Sequence, residues 1–154
     1  MLLDGMNHVA IITSDTERLH AFYRDVFDAT VSHDMTEQEG VRLSFVDVGP
    51  HTELNVFEVA GNSEAARQTP MFGRGRIDHL ALQAASKEAF DTIRDRLIER
   101  GSTDGFVTNF GPILSLFFRD PDGLEAEVCV ANPDAKPGEF HPPGTPAPGY
   151  DVVG

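Results

Sequence analysis

Two stretches of this chain open in the same way. HVAIITSDTERLHAFYRDVF from His8 and DHLALQAASKEAFDTIRDRL from Asp78 each begin with a short apolar run carrying a single histidine. Each run breaks at a serine and is followed by apolar residues at helical spacing. Three further strand-like segments follow each stretch, so the order strand–helix–strand–strand–strand occurs twice, over about residues 5–60 and 75–131. A period of about seventy residues is too long for a solenoid repeat. It predicts an α+β fold: two paired βαβββ modules forming an open, eight-stranded, barrel-like sheet.

Alternation and turn residues place the strands near 6–13, 28–35, 40–48, 52–60, 77–84, 103–109, 112–119 and 124–131. Ser14, with Glu17 three residues on, predicts a capping box for the first helix, whose apolar face is Leu19, Phe22, Tyr23 and Val26. Ser86 is the expected cap of the second helix; Phe90, Ile93 and Leu97 are its apolar face and Gly101 its stop. Turns are expected at Glu39-Gly40, Gly49-Pro50 and Asp120-Pro121-Asp122-Gly123. The chain to residue 131 is expected to be one domain. Residues 132–154 hold six of the ten prolines and no apolar periodicity, which predicts an extended or partly disordered tail that Phe140 and Tyr150 anchor.

The duplication carries a second repeat inside it. His8 and His79 are 71 residues apart, and Glu58 and Glu127 are 69 apart. By strand alternation His8 shares a face with Ala10 and Ile12, and His79 with Ala81 and Gln83; Glu58 lies opposite Phe57 and Val59, and Glu127 opposite Val128 and Val130. Each candidate thus points away from an apolar face and toward one concave face of mixed character. Singly, a strand histidine is a hydrogen-bonded core residue and a strand glutamate faces solvent. Four of them in register across a repeat predict a metal site, because ionised carboxylates on such a face need a partner. Two imidazoles and two carboxylates suit one divalent ion: Zn, Ni, Co, Mn or Fe(II). Paired His51 and Glu53 form an alternative cluster that has no counterpart in the second half.

Composition narrows the partners. The net charge of −13 opposes nucleic acid and anionic membranes, and Cys129 is the only cysteine, so no internal disulfide exists. The N-terminus MLLDGMN has neither a basic segment nor a long apolar run, so a cytoplasmic protein without a signal peptide is expected.

HVAIITSDTERLHAFYRDVF, LNVFEV, DHLALQA and FRDPDGLEAEV resemble the vicinal-oxygen-chelate superfamily, which includes glyoxalase I, methylmalonyl-CoA epimerase, extradiol dioxygenases and the fosfomycin and bleomycin resistance proteins. The resemblance spans roughly residues 6–131 and implies paired βαβββ modules around one divalent cation, in a homodimer acting on a small molecule. It implies the ligand set His8, Glu58, His79 and Glu127, with Glu58 or Glu127 also serving as the catalytic base; Glu125 is expected to face solvent or the pocket rim. A full four-ligand set implies a glyoxalase- or epimerase-like lyase or isomerase that chelates vicinal oxygens of a carbonyl substrate. The triad His8, His79 and Glu127 alone implies an Fe(II) extradiol-type dioxygenase, and no metal a drug- or metabolite-binding protein of the bleomycin-resistance type. Ile12 stands where glyoxalase I has a glutathione-binding arginine, which argues against glutathione despite a matching Asn62. Arg74 or Arg76 is the expected contact for a substrate anion, His20 is expected to face solvent, and His141 is a possible lid residue.

Overall fold

The structure, a computed structural model, describes residues 1–38 and 40–153. The predicted order appears in full: β1 (His8–Thr13), α1 (Thr16–Phe27), β2 (Thr30–Gln38), β3 (Val41–Gly49), β4 (Thr52–Val59), then β5 (Ala81–Gln83), α2 (Lys87–Glu99), β6 (Val107–Asn109), β7 (Ile113–Arg119) and β8 (Glu125–Ala131). The eight strands hydrogen-bond as two mixed sheets of four, ordered β1-β4-β3-β2 and β5-β8-β7-β6. In each, the first strand runs parallel to the fourth, as a helical crossover requires, and the other pairings are antiparallel. β5 and β6 are shorter than their alternation predicts.

Two compact units result: Met1–Thr69 with Pro121–Gly123, and Pro70–Asp120 with Leu124–Gly154. In the first, Leu19, Phe22, Tyr23 and Val26 of α1 are buried with Val46, Leu54 and Val56. In the second, Phe90 and Leu97 of α2 are buried with Leu116, Phe118, Ala126 and Val128.

The caps differ in one detail from expectation. Asp15, not Ser14, caps α1 by accepting the Arg18 N–H at 3.0 Å. Ser14 instead donates its hydroxyl to Asp122 of the predicted DPDG turn. Ser86 caps α2 as predicted, and Gly101 ends it in the left-handed conformation. Of the Glu39-Gly40 turn, Glu39 lies outside the described residues, and Gly40 has the positive φ such a turn favours.

The tail is extended but not disordered. Asn109 and Ala147 donate N–H groups to Thr145 and Val107, so the tail adds a bridge to the edge strand β6. Tyr150 packs against Phe90 and donates its hydroxyl to Asp91, under the cations of Lys87 and Arg94. Phe140 is 76% exposed and does not pack into the core of the second unit. Prolines do not oppose this arrangement, because a strap on a sheet edge needs few backbone donors.

Candidate metal centre

In the second unit β8 runs beside β5 with Glu127 opposite Ala81. This brings Glu127 Oε2 to 3.2 Å from His79 Nε2. The other imidazole nitrogen, Nδ1, lies 2.7 Å from Asp78 Oδ2, and the Ser115 hydroxyl donates to Glu127 Oε1. The hydrogen bond to His79 holds the Asp78 carboxyl below its ordinary range, so it is ionised and the proton of Nδ1 points at it. With the ring neutral, Nε2 and the Glu127 carboxylate are two acceptors facing each other, which a cation between them satisfies. Phe117 meets the His79 ring edge-on at 5.8 Å, while Phe118 is in the core. Cys129 lies two residues along the same face, its thiol pushed up to about 12 by burial and by Glu127.

The first unit is built alike but equipped differently. His8 donates Nδ1–H to the Asn7 amide oxygen at 2.8 Å, which turns its Nε2 the other way. On β4 the residue that corresponds to Glu127 is Asn55, since Ala10 pairs with Asn55 as Ala81 pairs with Glu127. Its Oδ1 is buried and has no hydrogen-bond partner. An orphaned amide oxygen at this register position suits a cation's shell. Glu58 does not reach His8. It pairs with Thr13, five positions further along the strands, and shares the helix-covered face with Leu54 and Val56. There its carboxylate accepts the Thr16 N–H at 2.8 Å, at the N-terminus of α1. The repeat in spacing that pairs Glu58 with Glu127 is therefore three residues out of register.

Among the described residues no three His, Cys, Asp or Glu side chains gather into a metal cluster. The first unit presents an imidazole Nε2 and an amide oxygen, and the second, taken by itself, an imidazole and a carboxylate facing each other. This donor chemistry fits a divalent ion.

The remaining candidates have other employment. Glu53 is the β4 neighbour of His8, and His51 sits exposed in the turn before it. His20 is 1% exposed, not solvent-facing, with Nε2 at 2.7 Å from the Ser44 hydroxyl. Asn62 accepts the Glu64 N–H, and Ile12 lies beside Phe57. Arg74 is no free anion contact: it donates to the carbonyls of Asp78 and Glu125 and to the Glu125 carboxylate. Glu125 is largely buried, its carboxyl held below its ordinary range by Arg119 and the Met71 N–H. His141 lies on the α2 side of the second sheet, lining a cavity of about 660 Å³ with Lys87, Asp91 and Tyr150.

Residues 5–128 match the glyoxalase/bleomycin resistance protein/dioxygenase superfamily. The chain belongs to that superfamily. It is 27% identical over 135 residues to mitochondrial methylmalonyl-CoA epimerase of Mus musculus, spanning 82% of this chain and 72% of that protein. Its fold matches the glyoxylase/bleomycin resistance protein/dioxygenase domain from Frankia sp. EAN1pec, with TM-score 0.69 and 19% identity over 86% of this chain and 95% of that one. It also matches the fosfomycin resistance protein FosX of Listeria monocytogenes, crystallised with Mn(II) and sulfate, with TM-score 0.61 and 19% identity over 85% and 95% of the two chains. The predicted fold class and family both hold, and among the described residues no helix is long and apolar enough to cross a membrane.

Proposed function

We propose that this protein is a divalent-metal-dependent isomerase or lyase of the epimerase or glyoxalase kind, with His8, His79 and Glu127 as ligands and the Asn55 amide oxygen as the fourth donor. The observation that carries this reading is the facing pair in the second unit: Nε2 of His79 at 3.2 Å from the Glu127 carboxylate, with Nδ1 turned to Asp78. A relative named for epimerisation and a fold neighbour crystallised with Mn(II) support it. The chemistry a divalent ion supplies in such a set is Lewis acidity toward adjacent substrate oxygens, which acidifies the neighbouring C–H. With Glu58 committed to α1, Glu127 is the carboxylate left to carry the proton, steadied through Oε1 by Ser115. Phe117, on the same face, offers the substrate an apolar wall.

Metal content is the test. Wild type is expected to carry about one equivalent, His79→Ala and Glu127→Ala to lose it, and Glu58→Ala to keep it. A folded Glu58→Ala that loses metal would restore the four-ligand set with Glu58. Wild type that takes up no metal after reconstitution would sink the enzyme reading and favour the binding protein of the bleomycin-resistance type. Loaded protein should then exchange the α-hydrogen of carbonyl substrates with solvent deuterium. The homodimer implied by the resemblance is checked by light scattering on the same samples.

One observation favours a second reading. A neutral amide at position 55 leaves two histidines and one carboxylate, the donor set of an Fe(II) dioxygenase. Iron retention with oxygen uptake on catechols, and no α-hydrogen exchange, would move that reading to first place.

A further inference from the structure

The segment leading into β5 is tied to His79 through one carboxylate. Asp78 uses both oxygens: Oδ2 accepts His79 Nδ1–H at 2.7 Å, and Oδ1 accepts the backbone N–H of Phe72. Phe72 is the third residue of the turn Pro70–Gly73, which Gly73 closes by donating to the Pro70 carbonyl at 3.1 Å. Its φ is +66°, a left-handed conformation that glycine normally fills in such a turn. A phenylalanine there is strained, and strain persists only where surroundings hold it. Here Met71 N–H is held by Glu125 at 2.9 Å, and Arg74 by the Asp78 and Glu125 carbonyls at 3.0 and 2.9 Å. The ring itself gains nothing, being 92% exposed. What the strained turn delivers is an N–H to Asp78.

We infer that Asp78 is a positioning residue: pinned by Phe72 N–H, it fixes His79 as the Nδ1–H tautomer and presents the Nε2 lone pair beside Glu127. Its functional meaning rests on the proposed metal centre; the tautomer itself does not. Two carboxylates face the ring, Asp78 at 2.7 Å and Glu127 at 3.2 Å; each only accepts, and the single proton of a neutral imidazole goes to the nitrogen with the shorter contact, Nδ1. Asparagine at 78 turns this around: the Phe72 N–H keeps its claim on Oδ1, so the amide N–H₂ faces Nδ1 and moves the ring proton to Nε2, the nitrogen a metal needs bare, whereas Asn7, with no such claim on it, offers its oxygen to His8. The edge contact of Phe117 holds the ring plane while this happens.

Two measurements on the full-length chain test it. The first is ¹⁵N-resolved imidazole NMR of metal-free protein, above the histidine titration range, for wild type, Asp78→Asn and Phe72→Gly. His79 should be the Nδ1–H tautomer in wild type and in Phe72→Gly, which keeps the backbone N–H, and the Nε2–H tautomer in Asp78→Asn. The second is titration with Zn(II) alone, where Asp78→Asn should bind about 10- to 100-fold more weakly. An Nε2–H tautomer or an imidazolium in wild type overturns the inference, as does a folded Asp78→Asn with wild-type Zn(II) affinity. If Asp78→Asn does not fold, the wild-type tautomer decides alone. Wild type that shows the expected tautomer but binds no Zn(II) defeats the proposed function and leaves the positioning intact.

Discussion

His20 shows how one buried imidazole makes stability depend on pH. Burial is the strongest influence and lowers its pKa below 6.5, with Asp34 and Glu17 opposing and Arg24 and Arg42 adding to the shift. The unfolded chain takes up this proton at higher pH than the native one, so the unfolded state binds more protons in that window. Stability contributed by neutral His20 is therefore complete above 6.5 and is lost as pH falls through the native value. Urea midpoints should drop more in wild type than in His20→Gln between about pH 7 and pH 5. Glu58 is a second residue with a structural task. Removing its bond to the Thr16 N–H in Glu58→Ala should cost about 1 kcal/mol in a denaturant melt. Metal content should not change. Neither role is visible in sequence, because burial of His20 against Ser44 and capping by Glu58 both join residues more than twenty positions apart.

At the scale of elements, local rules did well. The α1 face Leu19, Phe22, Tyr23 and Val26 is the buried one, and Ser86 and Gly101 bound α2 as their chemistry requires. The tail is the exception, since its order comes from partners elsewhere in the second unit. Gly111 has φ +95°, and a Cβ there would lie 2.3 Å from the Glu139 carbonyl oxygen. Gly111→Ala should therefore displace the strap, lowering stability by about 2 kcal/mol and speeding amide exchange at His141 and Ala147. Tyr150→Ala should cost a similar amount, about 2 kcal/mol, because it removes ring packing on Phe90, the bond to Asp91 and two cation–π contacts together. Thermal melts of the two variants, with amide exchange resolved by residue, check both.

The whole molecule carries a charge of −13, and self-repulsion at that charge favours expansion. Raising salt from about 10 to 150 mM should raise the melting temperature, and a fall would mean that the Arg18–Asp122 and Arg42–Asp34 pairs outweigh the net charge. The duplication of a βαβββ module was determined by sequence alone, because strand and helix periods are local properties of the chain. The strand position of Glu127 was legible for the same reason: the DPDG turn fixes where β8 begins and hence which residue shares a face with Cys129. Alternation also says correctly that Glu58 opposes Phe57 and Val59. It cannot say which of the two faces α1 covers, nor how far β4 slides along β1. Both depend on pairing between segments more than forty residues apart, and a shift of one residue exchanges the faces. Tertiary structure alone decided that Asn55, three positions earlier, corresponds to Glu127, and that Glu58 belongs to the helix.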